Sequence, residues 1–334
     1  MANLTLGDMA HRFLLRKQSV ALQVEAQRLS TEVATGRAAD TARAVKGDLV
    51  PLAAIETSLR RLEGYRSATS DAELYATSMQ AALGTIDDLS GDLSVTLLEA
   101  GRGGQTRMLG NAGVEASERL DAALSALNVQ VGGRTLFAGE AVQGPAIVES
   151  ATLLGLLDGV VAGALTGDEV ANRVAAWFAD PAGFAAQAYL GGAPGGEVPV
   201  SQTDSIRLDI TAADPAIRTT LEGLALAAMM TRTSIPQDDG ARTVIATRAG
   251  DTLLAVKTPL TDLAARLGLT EARIADTKER NDFEKNALQL ARSALLDVDP
   301  YEASTRLEAT ETQIETLYAV TARLSRLSLV DFLR

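Results

Sequence analysis

The sequence predicts a mainly α-helical protein. A long helical rod or coiled coil is formed by both chain termini, with a small inserted α/β domain. Three observations predict this. Both ends carry apolar residues at alternating three- and four-residue spacing, the mark of a helix with one buried stripe. Hydrophobic residues make up 46% of the chain but aromatics only 4%, so Ala, Leu and Val supply the apolar content and slender helix packing suits it. Between the helical arms, a stretch rich in Gly, Ala and Pro loses the helical period. The expected division is a discontinuous rod domain, residues 1–140 and 216–334, and a solvent-facing insert, residues 141–215. The terminal coiled coil is expected to pair about 1–36 with 299–334.

At the front, Leu15, Ser19, Leu22, Ala26, Leu29 and Val33 form a heptad seam. Phe13, Val20 and Val24 are expected to widen its apolar face. Gly36 is a natural helix stop. A second helical stretch is expected over 41–100, with Pro51 starting or kinking it. Leu52, Ile55, Leu59 and Leu62 make one stripe there, and Tyr75, Met79, Ile86, Leu93 and Leu97 belong to another. Gly64, Gly84 and Gly91 weaken the case for one unbroken helix. Gly101, Gly103 and Gly104 mark a break before a helix over 111–129. Gly132-Gly133 then signals a turn out of the helical region.

In the insert, Trp177, Phe178 and Phe184 suggest a small local core. Residues 205–210 alternate apolar and polar, a half-buried strand signal. Helices resume near Pro215, with a strongly apolar run over 221–230. Gly268 is expected to break the next helical stretch. The terminal helix opens at Asp299, a good N-cap, with Pro300 at the first helical position. Glu302 stands where it can complete a capping box. Ala303, Leu307, Ile314, Leu317, Val320, Leu324 and Leu327 then follow, mostly in one stripe, interrupted by Thr310 and Thr321. Such a helix needs a partner stripe, from the other chain end or from a neighbouring subunit. The expected assembly interface is Leu15, Leu22, Leu29 and Val33 with Leu307, Ile314, Leu317 and Leu324.

Composition and motifs exclude several functions. A formal charge of −12 argues against nucleic-acid binding through a basic surface. Cysteine is absent, which removes disulfides, thiolate catalysis and thiolate metal sites. His11 is the single histidine, so no His-based triad or multi-His metal site forms within one chain. Asp87-Asp88 and Asp238-Asp239 are sequence neighbours that do not face each other on a helix. No catalytic, cofactor or metal residue is expected. The longest apolar run, 153–165, is interrupted by Asp158 and too short to span a bilayer. The first 20 residues lack the apolar core and cleavage site of a secretory signal.

Several motifs carry a resemblance. Leu29-Ser30-Thr31-Glu32-Val33-Ala34-Thr35-Gly36-Arg37 precedes Asp40. Phe137-Ala138-Gly139 follows Gly133-Arg134. Leu267-Gly268 with Arg273, Asp297-Val298-Asp299 with Ala303 and Leu307, and the ending Ser328-Leu329-Val330-Asp331-Phe332-Leu333-Arg334 complete the set. In this order the chain resembles the bacterial flagellin superfamily, and within it the hook-associated protein 3 family. The resemblance covers roughly the first 140 and last 70 residues. It implies a non-enzymatic structural protein without cofactors, secreted through the flagellar type III route. It implies a homo-oligomeric ring at the hook–filament junction, built by the terminal helices. Implied partners are a neighbouring hook-associated protein, filament flagellin, and a cytoplasmic export chaperone on the C-terminal helix. A filament flagellin is the nearest alternative. A cytoplasmic helical scaffolding or signalling module is the alternative of a different class.

Overall fold

The computed structural model describes the backbone of residues 6–332 and the side chains of residues 9–11 and 13–323. The protein is mainly α-helical and has two compact units: residues 1–63 with 282–334, and residues 64–281.

The first unit starts with α1 (Leu6–Thr35), which ends at Gly36 in the left-handed conformation, φ +67°. A single turn follows, α2 (Thr41–Ala44), whose N-cap Asp40 accepts from the Arg43 N–H at 3.1 Å. α3 (Val50–Gly103) begins just before Pro51, so this proline starts the helix and does not kink it. Asp48 accepts from the Val50 N–H at 3.1 Å and satisfies one free donor there. Leu52 and Leu62 are buried in this unit, with Ile55 and Leu59 half-buried beside them.

α3 runs through Gly64, Gly84 and Gly91 without a break, and continues past Gly101 to Gly103. Each helical Gly costs only about 1 kcal/mol against Ala. The buried stripe of Met79, Leu83, Ile86, Leu93 and Leu97 outweighs that cost. In the second unit α4 (Thr106–Leu127) presents Leu109, Ala112, Ala116, Leu120, Leu124 and Leu127 to the core. Strands β1 (Gln130–Val131) and β2 (Arg134–Thr135) pair antiparallel across Gly132-Gly133, both at positive φ. Two such residues make the tight turn whose twist matches its strands.

Residues 141–215 hold three helices: α5 (Ser150–Val161), α6 (Gly167–Ala179) and the short α7 (Phe184–Gln187). The aromatic cluster expected here is present. Trp177 meets Phe178 edge-on at 5.1 Å between centroids, and Phe178 stacks on Phe184 at 5.2 Å. The strand expected over 205–210 is shorter. Only β4 (Ser205–Ile206) pairs, antiparallel to β3 (Val198–Pro199). The alternation still sorts the faces: Ile206 and Ile210 are buried while Arg207 and Asp209 are exposed.

α8 (Pro215–Ala228) is largely apolar and buried, packed against α4, with Arg218, Thr219 and Glu222 half-buried on its polar side. The chain turns at 229–231 and enters α9 (Asp239–Leu296). The break expected at Gly268 does not occur, and Pro259 also lies inside the helix. Leu253, Val256, Leu260, Leu263, Leu267 and Ile274 are all buried at helical spacing, and this packing overrides the local penalties. α10 (Pro300–Phe332) closes the chain.

One polar anchor in the second unit makes a test. Asp158 on α5 accepts from Arg232 Nε at 3.1 Å and from Ser234 Oγ at 2.7 Å. These bonds, Arg232 first, hold its carboxyl below the usual aspartate range. The folded chain therefore binds this proton less readily than the unfolded chain. The stabilisation is complete above about pH 4, the unfolded value, and is lost as pH falls through the lowered folded value. Acid unfolding followed by Trp177 fluorescence is expected to flatten in that window when Asp158→Asn is introduced.

Candidate assembly interface

The two ends of the chain meet within the first unit, where α1 packs on α10. On α1 the seam positions Leu15, Leu22 and Val33 are half-buried, and Leu29 is only 1% exposed. On α10, Ala303 and Leu317 are buried, and Leu307 and Ile314 are half-buried. Gln23 Nε2 donates to the Tyr318 hydroxyl at 2.6 Å across the pair. Thr310 sits in the stripe because its hydroxyl donates to the Arg306 carbonyl at 2.8 Å, leaving its methyl for packing. The Thr321 hydroxyl likewise donates to the Leu317 carbonyl at 2.7 Å, but Thr321 itself is exposed. Leu324 and Leu327 lie on α10 with side chains outside the described residues.

A polar clasp lies where α1 ends and α10 begins. Arg37 and Asp297 form an isolated antiparallel bridge. The Ala38 N–H donates to the Leu296 carbonyl at 2.8 Å, and the Val298 N–H to the Gly36 carbonyl at 3.0 Å. Motifs some 260 residues apart in sequence thus share backbone hydrogen bonds. Glu32 is 4% exposed, and its carboxylate accepts from Arg28 and from the Ala39 N–H at 3.1 Å. Arg28 also bonds Glu25, whose carboxyl its guanidinium holds below the ordinary range. The Glu25–Arg28–Glu32 spacing of three and four is readable in the sequence, yet nothing local says that it braces the loop 36–40.

Asp299 Oδ1 accepts from the Tyr301 N–H at 2.8 Å and the Glu302 N–H at 3.4 Å, so it caps α10. The Glu302 carboxylate bonds Arg306 at 2.5 Å instead of turning back to Asp299. The full capping box is therefore corrected to a one-sided cap. The neighbouring cation, one turn on, is the stronger partner for an exposed carboxylate.

A second correction concerns the face of α1. Phe13, Val20 and Val24 do not widen the seam. They lie with Met9 on the opposite side of the helix and are exposed, Phe13 by 67% and Val24 by 63%. Residues 9, 13, 20 and 24 are spaced four, seven and four, with Arg16 and Lys17 in the gap, on a line displaced about half a turn. α1 therefore has two apolar faces, one covered by α10 and one open. No described helix is long and apolar enough to cross a membrane.

The profile of the bacterial flagellin C-terminal helical region matches residues 254–333. No curated protein matches the chain. Among solved structures, FlgL of Bacillus cereus is 14% identical over 70% of this chain and 96% of its own, with a TM-score of 0.49. A protein of Vibrio parahaemolyticus assigned as a flagellar hook-associated protein is 14% identical over 71% and 95%, with a TM-score of 0.42. Likeness at this level assigns neither fold nor function. The profile match covers most of α9, the Asp297 side of the clasp and α10, so residues 254–333 are similar to a bacterial flagellin C-terminal helical region.

Proposed function

We propose that this chain is a structural subunit of the bacterial flagellum, an adaptor of hook-associated protein 3 type that joins hook to filament. One observation carries the reading: α1 spends one apolar face on α10 and leaves the other open. An uncovered stripe on a helix already packed along its other side favours a further helix as partner. The flagellin region at 254–333 favours copies of the same chain as that partner. Contacts of this head-to-tail kind close into rings when the rotation permits.

In this reading the interface comprises Leu15, Leu22, Leu29 and Val33 against Leu307, Ile314, Leu317 and Leu324 within a subunit. Met9, Phe13, Val20 and Val24 face the neighbouring copy. Residues 1–140 and 216–334 act as the rod, and 141–215 as the insert turned to solvent. The subunit is secreted unfolded, after a cytoplasmic chaperone has covered the C-terminal helix. It then sits between a hook-associated neighbour and filament flagellin, and it catalyses nothing.

Gold labelling of isolated flagella tests the placement. The adaptor reading expects a band at one point, the hook end of the filament. Label along the whole length would identify a filament flagellin, and label confined to the cytoplasm a scaffolding module. Removing residues 317–334 is expected to abolish incorporation while Trp177 still reports a folded middle.

A further inference from the structure

Arg134 is half-buried in the wall of a cavity of about 270 Å³ within the unit 64–281. Most of the wall is apolar, with Met79, Leu136, Val198 and Leu208 beside the Tyr75 ring. The guanidinium carbon stands 5.6 Å from the Tyr75 ring centroid. A contact at this distance is within cation–π range and uses none of the guanidinium's N–H donors. Among the described residues Arg134 makes no ion pair and no side-chain hydrogen bond. Asp71 also lines the cavity, but it is exposed and makes no ion pair with Arg134. Some half-buried arginines of this acidic chain hold carboxylates, Arg28 with Glu25 and Glu32 and Arg119 with Glu115, whereas Arg242 bonds the Gln237 amide instead. A guanidinium among apolar side chains with no carboxylate bonded to it is an arrangement that an anion would complete.

We propose that this cavity binds a small apolar monocarboxylate. Its body would lie among Met79, Val198 and Leu208, and its carboxylate on the fork of Arg134. At about 270 Å³ the cavity lies at the small end of ligand pockets, which run roughly 300–1,000 Å³. The assignment is independent of the flagellar reading.

The probe is phenylacetate, with phenylacetamide as its neutral isostere. Both are titrated into the full chain by calorimetry and by NMR of the arginine side-chain N–H groups. Phenylacetate is expected to shift the Arg134 Nε–Hε signal and to bind at least about tenfold more tightly than the amide, the worth of one charge-assisted contact. Arg134→Gln is expected to bring the acid down to the affinity of the amide. Ala72→Met, which fills the cavity from α3, is expected to abolish both. Equal affinity for acid and amide, a response that survives Ala72→Met, or no response at millimolar acid would overturn the proposal. So would an Arg134 shift produced by raising protein concentration alone, which would assign the carboxylate to a second copy.

Discussion

Leu29→Ala is expected to destabilise the unit formed by residues 1–63 and 282–334 by about 2–5 kcal/mol, the range for emptying a fully buried leucine site. Among the described large apolar side chains of α1, Leu29 alone is fully buried. It also sits one turn before Glu32, whose carboxylate braces the loop that meets Asp297. A cavity at Leu29 therefore loosens the seam and the clasp together. Hydrogen exchange of the α1 amides reads the effect locally, apart from the other unit. Val24→Ala is the control. Its side chain lies on the open face, so the change is expected to stay within about 0.5 kcal/mol in the isolated chain. Equal effects from the two substitutions would mean that the seam is not where α1 is held.

Gly139→Ala is expected to cost about 2–5 kcal/mol in the unit 64–281. The backbone at Gly139 is left-handed, φ +61°, which is worth roughly 1–2 kcal/mol against any residue with a Cβ. A Cβ there would stand 2.2 Å from the Ala193 carbonyl oxygen and 2.9 Å from that of Gly192. Both obstacles are backbone, so no rotamer change relieves them, and overpacking of this kind costs roughly 1–3 kcal/mol. The neighbouring chain is fixed in place: the Glu140 N–H donates to Ala193 and the Gly192 N–H to Ala138, each at 2.9 Å. The one Trp of the chain is in this unit, so denaturant unfolding followed by its fluorescence reports the unit alone. Gly64→Ala is the contrasting substitution. That helical glycine has open space around it, and alanine is expected to stabilise by about 0.4–1 kcal/mol. A neutral Gly139→Ala would mean that the 137–139 turn is far softer than its contacts suggest.

The sequence disclosed faces better than it disclosed boundaries or long-range contacts. The seam of Leu15, Leu22 and Leu29 was legible because a heptad rhythm fixes one side of a helix. The same rhythm misled at Phe13, Val20 and Val24, since spacing gives a stripe but not its angle to a neighbouring stripe. Gly268 read as an interruption because its penalty is local, whereas the burial that overrides it comes from residues far along the chain. The clasp was not legible. Gly36 announces a helix end, and Asp299 announces a helix start, but only the folded chain places the Gly36 carbonyl before the Val298 N–H. Arg134 was quoted only as part of a motif, and its missing carboxylate is a property of three-dimensional surroundings.

Because the chain has no cysteine, a single introduced thiol reports one position cleanly. The most direct test is the thiol labelling rate of Val24→Cys, compared with Leu29→Cys, in the isolated chain and in the assembled structure. The account predicts fast labelling at 24 in the isolated chain and strong protection there after assembly, with 29 slow in both. Protection at 24 in the isolated chain, or undiminished labelling at 24 after assembly, would contradict it.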